Sequence, residues 1–291
     1  MQSSKRQLLR AAGVLAVAAL LAACGQKAPE APAKQTAAPA PAPAKVYVVG
    51  TDAAYAPFES QNEKGEIVGF DIDLIKAIAA KAGIEIKVVN TPWEGIFNTL
   101  AQGDRDMLVS AITITEERKQ TVDFSAPYFN AEQLIAVKQN SKVAKFEDLK
   151  KLKVGVQTGT TGDEVVSKLL GKTNTSVRRF ESTPLALKEL EAGGVDAVVA
   201  DNGVIVNYVT NNASAKFKTV TDDAFMPEQY GIAVRKGNAE LLAKINQALA
   251  AIKADGTYDR LYAQYFGTPA GAPAVTAPSE VKSDTKMDAK K

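Results

Sequence analysis

Histidine is missing from all 291 positions, and cysteine and tryptophan occur once each. Without imidazole the chain has no histidine general base, no histidine metal ligand and no histidine pH switch. A lone cysteine, Cys24, excludes a disulfide within the chain. Neither charge sign dominates, with 35 Lys+Arg against 33 Asp+Glu, and the basic residues are dispersed rather than striped. That argues against a nucleic-acid partner. The apolar run at 11–23 is shorter than the roughly 20 residues a spanning helix needs. The glycines at 158–162 fit neither a dinucleotide fingerprint nor a P-loop, and the P-loop lysine is missing, so no cofactor and no metal is expected.

What is there begins with a processing segment. Lys5, Arg6 and Arg10 precede the apolar run, which ends in Leu21-Ala-Ala-Cys24. This resembles a bacterial lipoprotein signal, and the resemblance implies removal of residues 1–23 and a lipid on the Cys24 sulfur. The cut removes three positive charges and no acids, so the formal +2 becomes −1. Residues 24–44 are mostly Ala, Pro, Lys, Gln and Glu, a composition that favours extended polyproline geometry. At about 3.1 Å per residue such a tether reaches roughly 60 Å. Residues 268–291 return to Ala, Pro, Ser, Lys and Asp and read as a disordered tail.

Between these ends, strand and helix patterns alternate. Strands are expected at 45–50, 84–89 and 107–109, with helices between them: one capped by Asp71 and stopped by Gly83, another at 94–102 ended by Gly103. After a strand at 133–138 the pattern restarts, with strands at 152–157, 177–181 and 195–200. Helices fall at 161–170 and after Thr183, which is expected to cap with Pro184 at the first position. A strand at 230–235 and helices at 239–254 and 258–266 complete it. The alternation is that of parallel sheets covered on both faces.

Ser110-Ala-Ile-Thr-Ile-Thr-Glu-Glu-Arg118 follows the third strand. Thr115 can cap a short helix at 115–119 with two acids in its first turn. Arg118 then stands one turn inside it, able to reach back over the carboxyl end of the strand, where open α/β sheets bind ligands. Its planar fork suits a carboxylate. Taken alone, Arg118 also reads as a surface charge beside Glu116 and Glu117, the loop at 158–162 as a tight turn, Asp201 as a helix N-cap, and Tyr55 and Trp93 as core aromatics.

Thr113-Ile-Thr-Glu-Glu-Arg118, followed by Val122-Asp-Phe-Ser-Ala-Pro-Tyr128, resembles the signature of the family 3 extracellular solute-binding proteins, the amino-acid receptors of bacterial ABC importers. Asp52-Ala-Ala-Tyr-Ala-Pro-Phe-Glu59, Gly69-Phe-Asp71, Gly155-Val-Gln-Thr-Gly-Thr-Thr161 and Val195-Asp-Ala-Val-Val-Ala-Asp201 match the same family in order, so the likeness covers roughly 45–267. It implies a two-lobe α/β fold of the type II periplasmic-binding-protein kind, two parallel or mixed sheets flanked by helices and joined by a two-strand hinge. Lobe 1 would hold 45–133 and 231–267, and lobe 2 would hold 134–230, with crossings near 133–138 and 228–230. It also implies a monomer on the periplasmic face of the cell envelope, anchored through Cys24, that hands a free amino acid to permease subunits.

By the same resemblance, Arg118, the N–H of Thr113 and the N–H of Thr161 would take the ligand carboxylate. Asp201, the Thr113 hydroxyl and the Ala111 carbonyl would take its ammonium. Tyr55 and Trp93 would sandwich the side chain, which Asp52 would pair with, over a floor around Gln157 and Ala200. The likeness is nearest to the arginine/lysine-binding branch, with glutamine or another polar amino acid as the alternative ligand. A cyclohexadienyl or arogenate dehydratase on the same fold is the alternative of another class. It would need a cleft acid such as Asp52, Glu59 or Glu94, and no paired spacing supports turnover.

Overall fold

The computed structural model describes residues 45–267, so the expectations placed on 1–44 and 268–291, Cys24 included, lie outside the described residues. The chain opens with β1 (Val46–Thr51) and a small antiparallel sheet, β2 (Ala54–Tyr55), β3 (Glu59–Gln61) and β4 (Ile67–Val68). Helix α1 (Phe70–Ala82) follows and buries Phe70, Leu74, Ile75 and Ile78 completely. Burial of each such side chain is worth about 1.5–3 kcal/mol. Gly83, at φ 65°, closes the helix with its N–H on the Ala79 and Ala80 carbonyls. The expected cap at Asp71 is corrected. The helix starts earlier, from Gly69, and the Phe70 and Asp71 N–H groups bond the Pro57 and Phe58 carbonyls. Asp71 is thereby left to turn inward. A side chain at Gly69 would meet the Phe58 carbonyl at 2.1 Å, so only glycine allows that approach.

Next come β5 (Glu85–Asn90), α2 (Ile96–Gln102), β6 (Met107–Leu108), α3 (Glu116–Lys119), β7 (Val122–Phe124) and β8 (Phe129–Ala131). Then follow β9 (Gln133–Lys138), β10 (Val154–Gln157), α4 (Thr161–Leu170), β11 (Val177–Phe180), α5 (Thr183–Ala192), β12 (Ala197–Asp201), α6 (Asn202–Asn211) and β13 (Phe217–Val220). The chain returns through β14 (Glu228–Tyr230) and β15 (Ala233–Arg235) to α7 (Ala239–Ala254) and α8 (Thr257–Phe266).

Two five-stranded sheets result, in the orders β5-β1-β6-β15-β7 and β11-β10-β12-β9-β13. Each pairs its three βα strands in parallel and adds two others, so that β15 runs antiparallel to β6 and β9 antiparallel to β12. In the second sheet Ile135, Val137, Val154 and Val156 pack on one face, while Leu134, Ala136 and Val198 pack on the other, the period-two alternation of strands. Between the sheets β8 and β14 pair antiparallel. Three further expectations are corrected here. Residues 133–138 are not a crossing, because β9 hydrogen-bonds to both β12 and β13 inside the second sheet, and β8 is the segment that pairs with β14. Residues 230–235 are not one strand, because β14 pairs with β8 and β15 with β6 and β7, and one straight strand cannot serve both. Ser182, not Thr183, is the cap of α5, since the Thr183 N–H and hydroxyl both donate to Gln157 Oε1.

Candidate functional site

The carboxyl ends of β1 and β6 face those of β10 and β12 across one cavity. All nine residues expected from the sequence line it: Asp52, Tyr55, Trp93, Ala111, Thr113, Arg118, Gln157, Thr161 and Asp201. Glu59, Ser110 and Thr160 line it as well, and the sequence offered no ligand role for Ser110 or Thr160. Ala200 does not, because its methyl packs in the apolar cluster behind β12 with Leu134 and Ile205. Exposed Glu94 lies away from it.

Arg118 is held as its helix dictates. Thr115 caps α3 by accepting the Arg118 N–H, and the side chain folds back so that one terminal nitrogen donates to the Thr113 carbonyl at 2.8 Å. The other reaches the Gly159 carbonyl, from the second sheet's side, at 3.4 Å. The guanidinium lies over Trp93 at 5.3 Å and Phe97 at 5.4 Å, an attraction worth about 0.5–2 kcal/mol. Trp93 therefore carries the arginine. Burial pulls the Arg118 pKa down, and Glu164, Asp201, Glu228 and Glu117 push it back.

On the opposite side, Asp201 ends β12. One of its oxygens accepts from Gln133 Nε2 and the other from the Tyr230 hydroxyl. Burial, and then the charge of Glu228, pushes its pKa up to about 6, against hydrogen bonds that favour the ionised form. Tyr55 faces the same carboxylate, and burial followed by that charge holds its phenol well above the usual range. Asp52 sits in the gap between the sheets. Its Oδ2 accepts from Gln157 Nε2 at 3.1 Å, and burial raises its pKa.

A buried acid pair supports this wall. The Asp52 N–H donates to Ser110 Oγ at 2.9 Å, and that hydroxyl donates to Glu59 Oε1 at 2.9 Å. Asp71 Oδ2 accepts from the Ala111 N–H and the Tyr128 hydroxyl, each at 2.7 Å, and so holds Ala111 at φ 46°. The remaining oxygens, Glu59 Oε2 and Asp71 Oδ1, are buried and have no donor among the described residues. A proton shared between them would satisfy both. Burial, then repulsion from Asp71, pushes Glu59 well above the carboxylate range, and burial lifts Asp71 to about 6.

Sequence reasoning missed Gln133 and Glu228. Gln133 Nε2 lies within hydrogen-bonding distance of Asp201, Glu228 and Thr161, and Glu228 also accepts from the Thr113 and Thr161 hydroxyls. Their only signal was their position beside the crossings, which marks geometry rather than chemistry.

Two α/β sheets bridged by paired strands, with an ionised cavity between their carboxyl ends, define a two-lobe binding protein of the type II periplasmic kind. The chain belongs to the bacterial extracellular solute-binding proteins, family 3, whose model matches residues 47–268. It is 47% identical over 265 residues to the "Probable histidine-binding protein" of Neisseria gonorrhoeae, covering 90% of this chain and 97% of that one. It is 34% identical over 224 residues to the "L-arginine-binding protein" of Pseudomonas aeruginosa, covering 75% and 86%. Among solved structures it resembles the arginine-, lysine-, histidine-binding protein ArtJ of Geobacillus stearothermophilus, with TM-score 0.75 and 46% identity, covering 77% of this chain and 96% of that one. All three are described as binding proteins.

Proposed function

We propose that the chain is the receptor of an ABC importer, capturing a free basic amino acid, arginine first, between its lobes and delivering it to permease subunits. The observation that carries this is the charge balance of one cavity. Arg118 can take a ligand carboxylate and Asp201 its ammonium, which uses both charges of a zwitterion. Asp52 then remains, and a carboxylate left half-buried calls for a cation. Arginine suits it because a guanidinium stays charged at every physiological pH and pairs with a carboxylate through two parallel donors. Histidine, named for the Neisseria relative and for ArtJ, would bring a partial charge only. The lobes, 45–133 with 231–267 and 134–230, would close because Arg118 and Asp201 grip opposite poles of the ligand. Cys24 would anchor the protein, and 24–44 would let it reach the permease.

A thermal-shift screen of the twenty amino acids with ornithine and citrulline tests the ligand. A ligand at a hundredfold excess over its Kd raises apparent stability by about 2.7 kcal/mol. Arginine should give the largest shift, with lysine and histidine behind. A screen in which citrulline matches arginine overturns the basic preference, and one with no shift overturns the amino-acid reading.

A further inference from the structure

Glu228 stands on the crossing strand β14, where it meets groups from both sheets. Its Oε2 accepts from Thr113 Oγ1 at 2.6 Å and from Thr161 Oγ1 at 2.9 Å, and its Oε1 accepts from Gln133 Nε2 at 3.0 Å. Three donors converge on two oxygens, and only a carboxylate offers acceptors at both. An amide there fails in one of two ways. With its nitrogen toward Gln133, two N–H groups oppose each other. With its nitrogen toward the threonines, it donates to them and turns their protons away.

A hydroxyl has one proton and two lone pairs. At 2.6 Å from a carboxylate, the Thr113 proton is committed to Glu228 in a charge-assisted bond. Only lone pairs are then left for the cavity that Thr113 lines. We propose that Glu228 is a positioning residue that fixes the hydrogen-bond polarity of the Thr113 hydroxyl, making it an acceptor for a ligand ammonium. Glu228 does not line the cavity and acts through Thr113. The inference rests on the reading of the cavity as an amino-acid site. It adds a determinant that excludes ligands by what their α-substituent donates, separate from the charge supplied by Asp201.

The test is calorimetric titration of wild-type, Glu228→Gln, Thr113→Val and the double variant with L-arginine and with its 2-hydroxy analogue, whose hydroxyl can donate or accept. Glu228→Gln should weaken arginine by about tenfold or more and the analogue by less than about threefold. In the Thr113→Val background the Glu228→Gln change should no longer alter the ratio between the two ligands. Unliganded melting temperatures establish that each variant folds. Equal losses for both ligands in Glu228→Gln, or the same ratio change with and without Thr113, overturn the proposal. Wild-type protein that fails to bind arginine overturns the functional reading instead, so the two failures are distinguishable.

Discussion

Arg118 is the residue whose chemistry is least replaceable. Its fork donates to two carbonyls while its flat face rests on two aromatic rings, which leaves it oriented before any anion arrives. Lysine keeps the charge and loses both the fork and the stacking surface. Arg118→Lys should therefore weaken arginine binding by at least tenfold, about 1.4 kcal/mol, measured by titration calorimetry. A variant with unchanged Kd for arginine removes Arg118 from the site. Asp201 gives a pH signature. An ammonium favours its ionised form, so binding lowers a pKa that stands at about 6 without ligand. Affinity should hold above pH 6 and fall as pH drops through it, by up to about tenfold per unit, with a proton released on binding. A Kd flat from pH 7.5 to 5 contradicts this role. At this scale the sequence was informative where a charged side chain ends a strand, as at 201, or stands in the helix that follows one, as at 118. It was silent on Gln133 and Glu228, which are 95 positions apart and acquire their roles only when the chain crosses between sheets.

Elements were legible wherever periodicity was long. The helices 161–170 and 239–254 have the bounds expected from their apolar spacing. Errors gathered where tertiary partners replaced local ones. Asp71 has the composition of a cap, yet the Pro57 and Phe58 carbonyls receive the first N–H groups of α1, freeing its carboxyl for Ala111 and Tyr128. That places it beside Glu59, and the pair gives the start of α1 a measurable dependence on pH. Both folded pKa values are raised above those of an unfolded chain, so the pair's contribution is complete below about pH 4, and Asp71's share is lost as pH rises through about 6. Glu59→Gln supplies a permanent N–H to Asp71 where the shared proton lay, while its carbonyl can still accept from Ser110. The variant should melt higher than wild type at pH 8, and the gap should narrow toward pH 5. Parallel melting curves across that range argue against a shared proton.

At the scale of the whole molecule the two halves meet through polar contacts over the cavity and an apolar one beside it. Asp52 to Gln157 and Arg118 to Gly159 span the gap. On the hinge side, the Phe58 ring stacks edge-on with Phe129 and Tyr230 and presses on the backbone of α6 at Gly203. A Cβ at 203 would lie 2.9 Å from Phe58 Cε2 and Cζ, closer than carbon atoms pack. Phe58 cannot yield easily, since it is fully buried. Overpacking of this kind costs about 1–3 kcal/mol. On the proposed lobe closure, an opening that lifts α6 from the ring would place that cost on the closed form of Gly203→Ala. A ligand that needs the closed form then binds more weakly in proportion to the closed fraction lost. Gly203→Ala should therefore lower arginine affinity roughly tenfold while leaving unliganded melting close to wild type. Small-angle scattering should show a larger radius of gyration at sub-saturating arginine than wild type has at the same concentration. Loss of stability without loss of affinity would assign Gly203 to packing within one half, and wild-type affinity would remove Phe58 from the closure contact.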